Sequence, residues 1–412
     1  MNPFKAYGKL PKSIHILFFA QVINRFGDFV LPFLTLYLTK KLGYSFEVAG
    51  IVAMITSLLA IPGSLLGGKL ADQIGRRKTY LIAQSLAGIC LLPCSFVKSP
   101  ELVVVFLLLS NFSNAAVRPS ISAIVADILE PNERQLGYSL IYLGINLGAS
   151  LGPVVAGFLF NNHLPLLFIG DAVTSFIAVG LVYFNIKETN PVHQKEVRNT
   201  SIETEESGNI ITVLWRRPQI LVFLAIDIAY TFAYAQQKFS LPLMLEDIFK
   251  DKGPENFGYL MSINAFTVIV MTVFLISATK RFKPLINIIM AGLLYAIGFG
   301  MIGKIHSFAL FSVATVLLTI GEILIATNQG VYIANNSPKN FRARFNSITA
   351  LSRASGTALG TSLMGKYIGI AGVRAVWPLT AGIAGMAAIF MLMLHIYSLN
   401  YHKQHKEDSI KE

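Results

Sequence analysis

Along the 412 residues, apolar positions come neither in the alternation of a half-buried strand nor in the narrow stripe of a surface helix. They come in twelve long runs, near 13–39, 47–70, 79–97, 101–127, 136–160, 165–186, 218–245, 257–280, 285–304, 307–335, 345–369 and 373–398, separated by short polar breaks. A helix rises about 1.5 Å per residue, so about 20 apolar residues cross the hydrocarbon of a bilayer. The pattern predicts an all-α membrane protein with twelve transmembrane helices. Gly and Pro interrupt several runs, which spanning helices tolerate. The first run follows Lys5, Lys9 and Lys12, is too long for a leader's apolar core and has no small-residue cleavage site, so it is read as helix 1.

Composition agrees: 54% of residues are hydrophobic and 14% charged. The net charge of +12 would suggest a nucleic-acid partner in a soluble chain, but its placement excludes that reading. Basic residues gather at both termini and in the even-numbered loops, as with Arg76, Arg77, Lys78, Arg216, Arg217, Lys280, Arg281, Lys283, Arg342 and Arg344. This is the positive-inside pattern, which places both termini in the cytoplasm and the basic loops against anionic lipid. Residues 187–217, with Lys195, Arg198, Glu203, Glu205 and Glu206, break the apolar pattern and read as a cytoplasmic linker. The expected organisation is a six-helix bundle over 1–186, the linker over 187–217, and a second six-helix bundle with a short tail over 218–412. Cys90 and Cys94 read as packing residues, and no Cys/His cluster has metal-ligand spacing.

The halves repeat. Glu47, Gly50, Arg134, Ser139, Gly148, Gly152 and Gly157 recur 208 residues on as Glu255, Gly258, Arg342, Ser347, Gly356, Gly360 and Gly365. Phe29, Leu31 and Pro32 recur at a nearby offset as Phe239, Leu241 and Pro242. Parallel repeats of six helices point to two pseudo-symmetric bundles about a site near the bilayer midplane.

The loop after the second run reads Gly68-Lys69-Leu70-Ala71-Asp72-Gln73-Ile74-Gly75-Arg76-Arg77-Lys78. It resembles the signature loop of the major facilitator superfamily, with Gln73 where the family often has a basic residue. The resemblance implies a gate motif of Gly68, Asp72, Gly75, Arg76 and Arg77. Asn111, Asn114 and Arg118-Pro119 are similar to the family's second motif, whose arginine is linked to proton transfer in proton-coupled members. Helix 5, with Gly148, Gly152, Pro153 and Gly157, is similar to the antiporter motif that packs helix 5 on helix 8; Ala156 replaces one glycine. The string Asn24 to Leu34 and the pair Gly321-Glu322 resemble bacterial drug:proton antiporters. Gly-Glu in helix 10 also resembles proton-coupled peptide transporters, but the two glutamates of their helix 1 signature are absent.

Charges inside a membrane helix cost about 2.5–3.5 kcal/mol each on insertion scales, so each is a candidate for function. Helical spacing groups Gln21, Asn24, Arg25, Asp28 and Thr35 on helix 1, and Asn111, Asn114, Arg118 and Ser122 on helix 4. It likewise groups Asp227, Tyr230, Tyr234, Gln237 and Lys238 on helix 7, and Thr315, Thr319, Glu322 and Gln329 on helix 10. These are the helices that line the central cavity in the family. Arg25 and Asp28, three apart, can pair. Arg353 reads as snorkelling from the cytoplasmic end of helix 11, Asp171 as structural, and Asp127 as a loop or gate residue.

A carboxylate in a low-dielectric site takes up a proton more readily than in water. Glu322 is the first candidate proton carrier and Asp28 the second, with Arg118 beside them. Asn24, Arg25, Tyr37, Asn114, Asn146, Asp227, Tyr230, Tyr234, Gln237 and Lys238 are the candidate substrate-cavity residues. The leading expectation is a proton-coupled exporter of small, partly apolar compounds, working by alternating access in a bacterial cytoplasmic membrane. It would be driven by the proton gradient, with no bound cofactor, and a monomer suffices. Proton-coupled uptake of a metabolite or peptide is the alternative, and a non-transporting membrane sensor the alternative of another class. The chain has no Walker loop, H-E-x-x-H or other catalytic constellation, so an enzyme is not expected.

Overall fold

A computed structural model describes residues 7–130, 133–189, 214–337 and 342–411. The linker charges Lys195, Arg198, Glu203, Glu205 and Glu206 lie outside the described residues, as do Lys5 and the side chains of Arg342, Arg344 and Ser347. The described chain is helical, with no strand among those residues. The long helices are α1 (Lys12–Phe26), α2 (Phe46–Ile74), α3 (Arg76–Leu91), α4 (Pro100–Ile128), α5 (Arg134–Asn162) and α6 (Leu164–Asn185). They continue as α7 (Pro218–Phe249), α8 (Gly253–Thr279), α9 (Pro284–Ile302), α10 (Phe308–Asn336), α11 (Arg342–Ala371) and α12 (Val376–Lys411). Nine helical stretches among the described residues are long and apolar enough to cross a membrane, one of them the 62-residue run Pro218–Thr279.

Local chemistry sets many of the ends. Ser45 and Ser99 accept the amides of Val48 and Leu102 at the starts of α2 and α4. Proline stands within the first two residues of α4, α6 and α9, where its missing N–H costs nothing. Pro62, Pro119 and Pro153 lie inside helices, as bundle neighbours allow.

The run 13–39 is not one continuous helix. After α1 the chain leaves helical geometry and re-forms as a 3-10 turn (Leu31–Phe33), one α-turn (Leu34–Leu36) and a π-turn (Tyr37–Lys41). Pro32 lacks the amide a continuous helix needs, and Gly27 lies against Thr174 too closely for any side chain. The amides of Phe29 and Val30 face the Asp171 carboxylate on α6, and that of Phe29 also donates to the Gly27 carbonyl at 2.7 Å.

Packing divides the chain into two compact units: Met1–Val197 with Leu241–Ile269, and Arg198–Ser240 with Val270–Glu412. Inside unit 1, α5 lies on α1 through Gly148 and Gly152, where a Cβ would run into the carbonyl oxygens of Val22 and Phe26. Inside unit 2, α11 lies on α7 through Gly356 and Gly360, where a Cβ would meet the carbonyl oxygens of Ile228 and Phe232. The repeat read from spacing is thus a repeat of one helix contact, made by the same pair of glycines in each unit.

Candidate functional site

Three polar assemblies occupy these units. The first is the loop between α2 and α3. Gly67 packs α2 on Ala116 of α4, and Gly75, at φ +111°, turns the chain where an L side chain would be strained. Arg76 is buried; it reaches Asp72 at 2.8 Å, Asp127 at 3.3 Å and the Ala71 carbonyl at 2.7 Å. Asp127 therefore closes a three-charge cluster from the end of α4. The amides of Arg77 and Lys78 donate to the Glu188 carboxylate at 2.9 and 3.0 Å, an anion on the positive end of α3. Arg77 also bonds the Tyr183 carbonyl at 2.6 Å and stacks over its ring. Glu188 escapes a sequence reading, because nothing local marks a carboxylate beyond α6 as the cap of α3.

The second assembly is a cavity of about 50 Å³ within unit 1. It is lined by Asn24 from α1, Asp28 from the break that follows it, Thr56 from α2, Gln84 from α3, Asn111 and Asn114 from α4, and Asp171 and Ser175 from α6. Arg25 pairs with Asp28 at 3.1 Å. Gln84 donates to Ser175 at 2.9 Å, and Asn111 to the Thr56 carbonyl at 2.8 Å. The spacing of polar residues on α1 and α4 leads to this cavity. Gln84, a lone amide in an apolar run, is the signal on α3 that points the same way.

The third is a cavity of similar size, about 50 Å³, within unit 2, lined by Asp227, Tyr230, Thr231, Tyr234, Tyr295, Glu322 and Arg353 among others. The Tyr234 hydroxyl donates to the Glu322 carboxylate. Tyr234 stacks on Tyr295, centroids 6.0 Å apart, and Tyr230 meets Tyr295 edge-on. Ser352 donates to the Asp227 carboxylate at 3.5 Å, and Gln329 is buried close by. Gly292 has no side chain where the Tyr230 hydroxyl comes in. Arg353, read from the sequence as a snorkelling residue, is exposed and also lines this cavity, in the field of Asp227, Tyr234 and Tyr295. It is one residue on from Ser352 on the face that packs against α7. Tyr295 gives no sequence signal as a site residue, since α9 has no polar stripe.

The remaining candidates are placed as follows. Tyr37 is buried edge-on against Phe168 at 5.2 Å rather than lining the polar cavity. Asn146 bonds the Tyr142 carbonyl of its own helix at 2.9 Å. Gln237 is buried, with no partner for its Nε2 among the described residues, and Lys238 is exposed. Arg118 is exposed on α4 next to Pro119. The α5 motif serves two contacts. Gly148 and Gly152 face α1, whereas Pro153 and Gly157 face the start of α8, where Gly258 abuts Pro153 and Gly157 abuts Pro254 and Glu255. The same segment is tied on by Ser262 to Ser150, Asn161 to the Asp251 carbonyl and Lys40 to Glu246 at 2.9 Å.

Comparison with known proteins agrees with this architecture. The family model of the Major Facilitator Superfamily matches residues 17–361 and again 226–412. The chain is 23% identical over 367 residues to the uncharacterized MFS-type transporter YqjV of Bacillus subtilis (strain 168), covering 87% of this chain and 85% of that one. It is 21% identical over 394 residues to a Na(+), Li(+), K(+)/H(+) antiporter of Planococcus maritimus, covering 89% and 92%. A crystal structure of the peptide transporter POT in complex with sulfate superposes with a TM-score of 0.76 at 17% identity, covering 97% of this chain and 98% of that one. These relatives are transporters rather than enzymes. With apolar helices long enough to span a bilayer and the family model extending over most of its length, the chain is a multi-pass membrane transporter and belongs to the Major Facilitator Superfamily.

Proposed function

We propose that the protein is a proton-coupled secondary transporter, with twelve crossings and both termini on the cytoplasmic side, that exports small, partly apolar compounds in exchange for protons across a bacterial cytoplasmic membrane. The observation that carries the proton coupling is Glu322. It is a carboxylate far from either end of α10, held in a small cavity by the Tyr234 hydroxyl, with Asp227 and Arg353 on the same walls. A water needs about 10–15 Å³ of such space, so about 50 Å³ holds a few waters and no drug-sized solute. The cavity is suited to a proton and its waters. A carboxylate that meets an apolar wall in one conformation and a guanidinium in another takes up a proton in the first and gives it up in the second. Asp28, paired with Arg25 in the cavity of unit 1, is the second such group. Exchange rather than uptake is favoured by the α5–α8 glycine contact and by the antiporter among the relatives.

Proteoliposomes test this. Wild type should accumulate a lipophilic cation dye against its gradient when a pH gradient is imposed. Glu322→Gln, which mimics the permanently protonated form, should keep dye exchange but lose accumulation, and Glu322→Asp should retain part of it. Uphill transport at the wild-type rate by Glu322→Gln would make Glu322 a structural partner and move the proton role to Asp28.

A further inference from the structure

Unit 2 carries a third cavity that the transport reading does not use. It is an open groove of about 680 Å³ between α7 and α12, lined almost wholly by apolar side chains such as Val222, Ala225, Ala229, Met386, Phe390 and Met393. That volume falls within the about 300–1,000 Å³ of small-molecule sites, yet the lining offers no convergent polar groups to orient a solute. Phe390 and Met393 are more than half exposed, as walls open to the acyl region of a bilayer would be.

One end of the groove is of different character. Pro218 and Gln219 line it there and begin α7, whose next amides, of Ile220 and Leu221, are taken up by the Arg217 carbonyl. Immediately before them stand Trp215, 73% exposed, and Arg216, also exposed. Arg217 turns the other way, to the Asn336 carbonyl at 2.8 Å. Across the groove Tyr397 of α12 lines it, and His395 on that helix lies in the field of Lys283. Among the described residues of 214–226, 280–308 and 394–399 there is no Asp or Glu, so the described part of this end is basic. An interfacial indole and an exposed guanidinium at the mouth of an apolar trough suit a phosphate with a hydrocarbon tail.

We infer that this groove is a binding site for an anionic phospholipid, with one acyl chain between α7 and α12 and the phosphate beside Arg216 and Trp215. A zwitterionic lipid fits the trough as well, but its ammonium group meets a basic end. The site should therefore select by headgroup charge.

Native mass spectrometry of the full-length protein released from detergent, with phosphatidylglycerol or phosphatidylcholine added, tests this. Wild type should retain phosphatidylglycerol at least severalfold more than phosphatidylcholine. Arg216→Ala should lower phosphatidylglycerol retention about fivefold, the loss expected for one basic residue at a membrane surface. Ala229→Trp, which fills the trough, should lower retention of both lipids, and circular dichroism with a melting curve confirms that each variant is folded. Equal retention of the two lipids by wild type, or phosphatidylglycerol retention unchanged in both folded variants, would overturn the site.

Discussion

At the residue scale, the α2–α3 loop shows how burial ranks two carboxylates on one arginine. The side chain of Arg76 is 10% exposed, that of Asp72 72% and that of Asp127 22%. An exposed ion pair contributes roughly 0–1 kcal/mol, whereas a partner withdrawn from a buried charge costs several times more. Asp72→Asn should therefore shift the melting temperature in detergent only slightly, and Asp127→Asn should shift it more. The reverse order would mean that the solvent-facing pair holds the loop. Transport should fall in both variants if the cluster stabilises one gate state. The motif makes Asp72, Gly75 and Arg76 legible in the sequence. Glu188 is not legible there, because it meets the amide of Arg77 from 111 residues further along and helical spacing says nothing about such meetings. Arg353 is legible only in part, for a related reason. Its distance from the chain's polar breaks suggests its depth along the helix, while its direction is fixed by the α7–α11 contact.

At the element scale, the glycine pairs on α5 and α11 set how closely two helices lie. A side chain at Gly152 has no flexible neighbour to displace, since what it meets is the carbonyl oxygen of Phe26. Overpacking of this kind costs about 1–3 kcal/mol. Gly152→Leu should lower the melting temperature and the yield of monodisperse protein, and Gly360→Leu should do the same through Phe232. Gly180→Leu, at a position with nothing within 4 Å, serves as the control and should leave both unchanged. A neutral Gly152→Leu would show that α1 can shift to accommodate it. The helices themselves are legible, because each long apolar run lies largely within helix. The break in the first one is marked by Gly27 and Pro32 but masked by the apolar residues around them. Proline and glycine are so common in membrane helices that neither marks a break by itself.

At the scale of the whole molecule, the boundary between units does not fall where the chain changes from one repeat to the next. Leu241–Ile269 belongs to unit 1, while the residues on both sides of it belong to unit 2, so α7 and α8 are each divided between units. This has a consequence for biosynthesis. A chain emerging from the ribosome cannot finish its first unit when the first six helices are out. It must carry residues 198–240 of the second unit as an unfinished segment until residue 269 has been made. Completion of the two units is thus interleaved in time, and the vulnerable interval comes late. Chains truncated after residue 197 or 240 should be cleaved readily within the α5 segment Ser150–Asn161, whose partners on α8 are missing. Extension to residue 269 should restore much of the protection, as read by limited proteolysis of membranes bearing the truncated chains. Equal protection at all three lengths would mean that the first six helices close on their own, and that the borrowed segment docks onto an already finished unit.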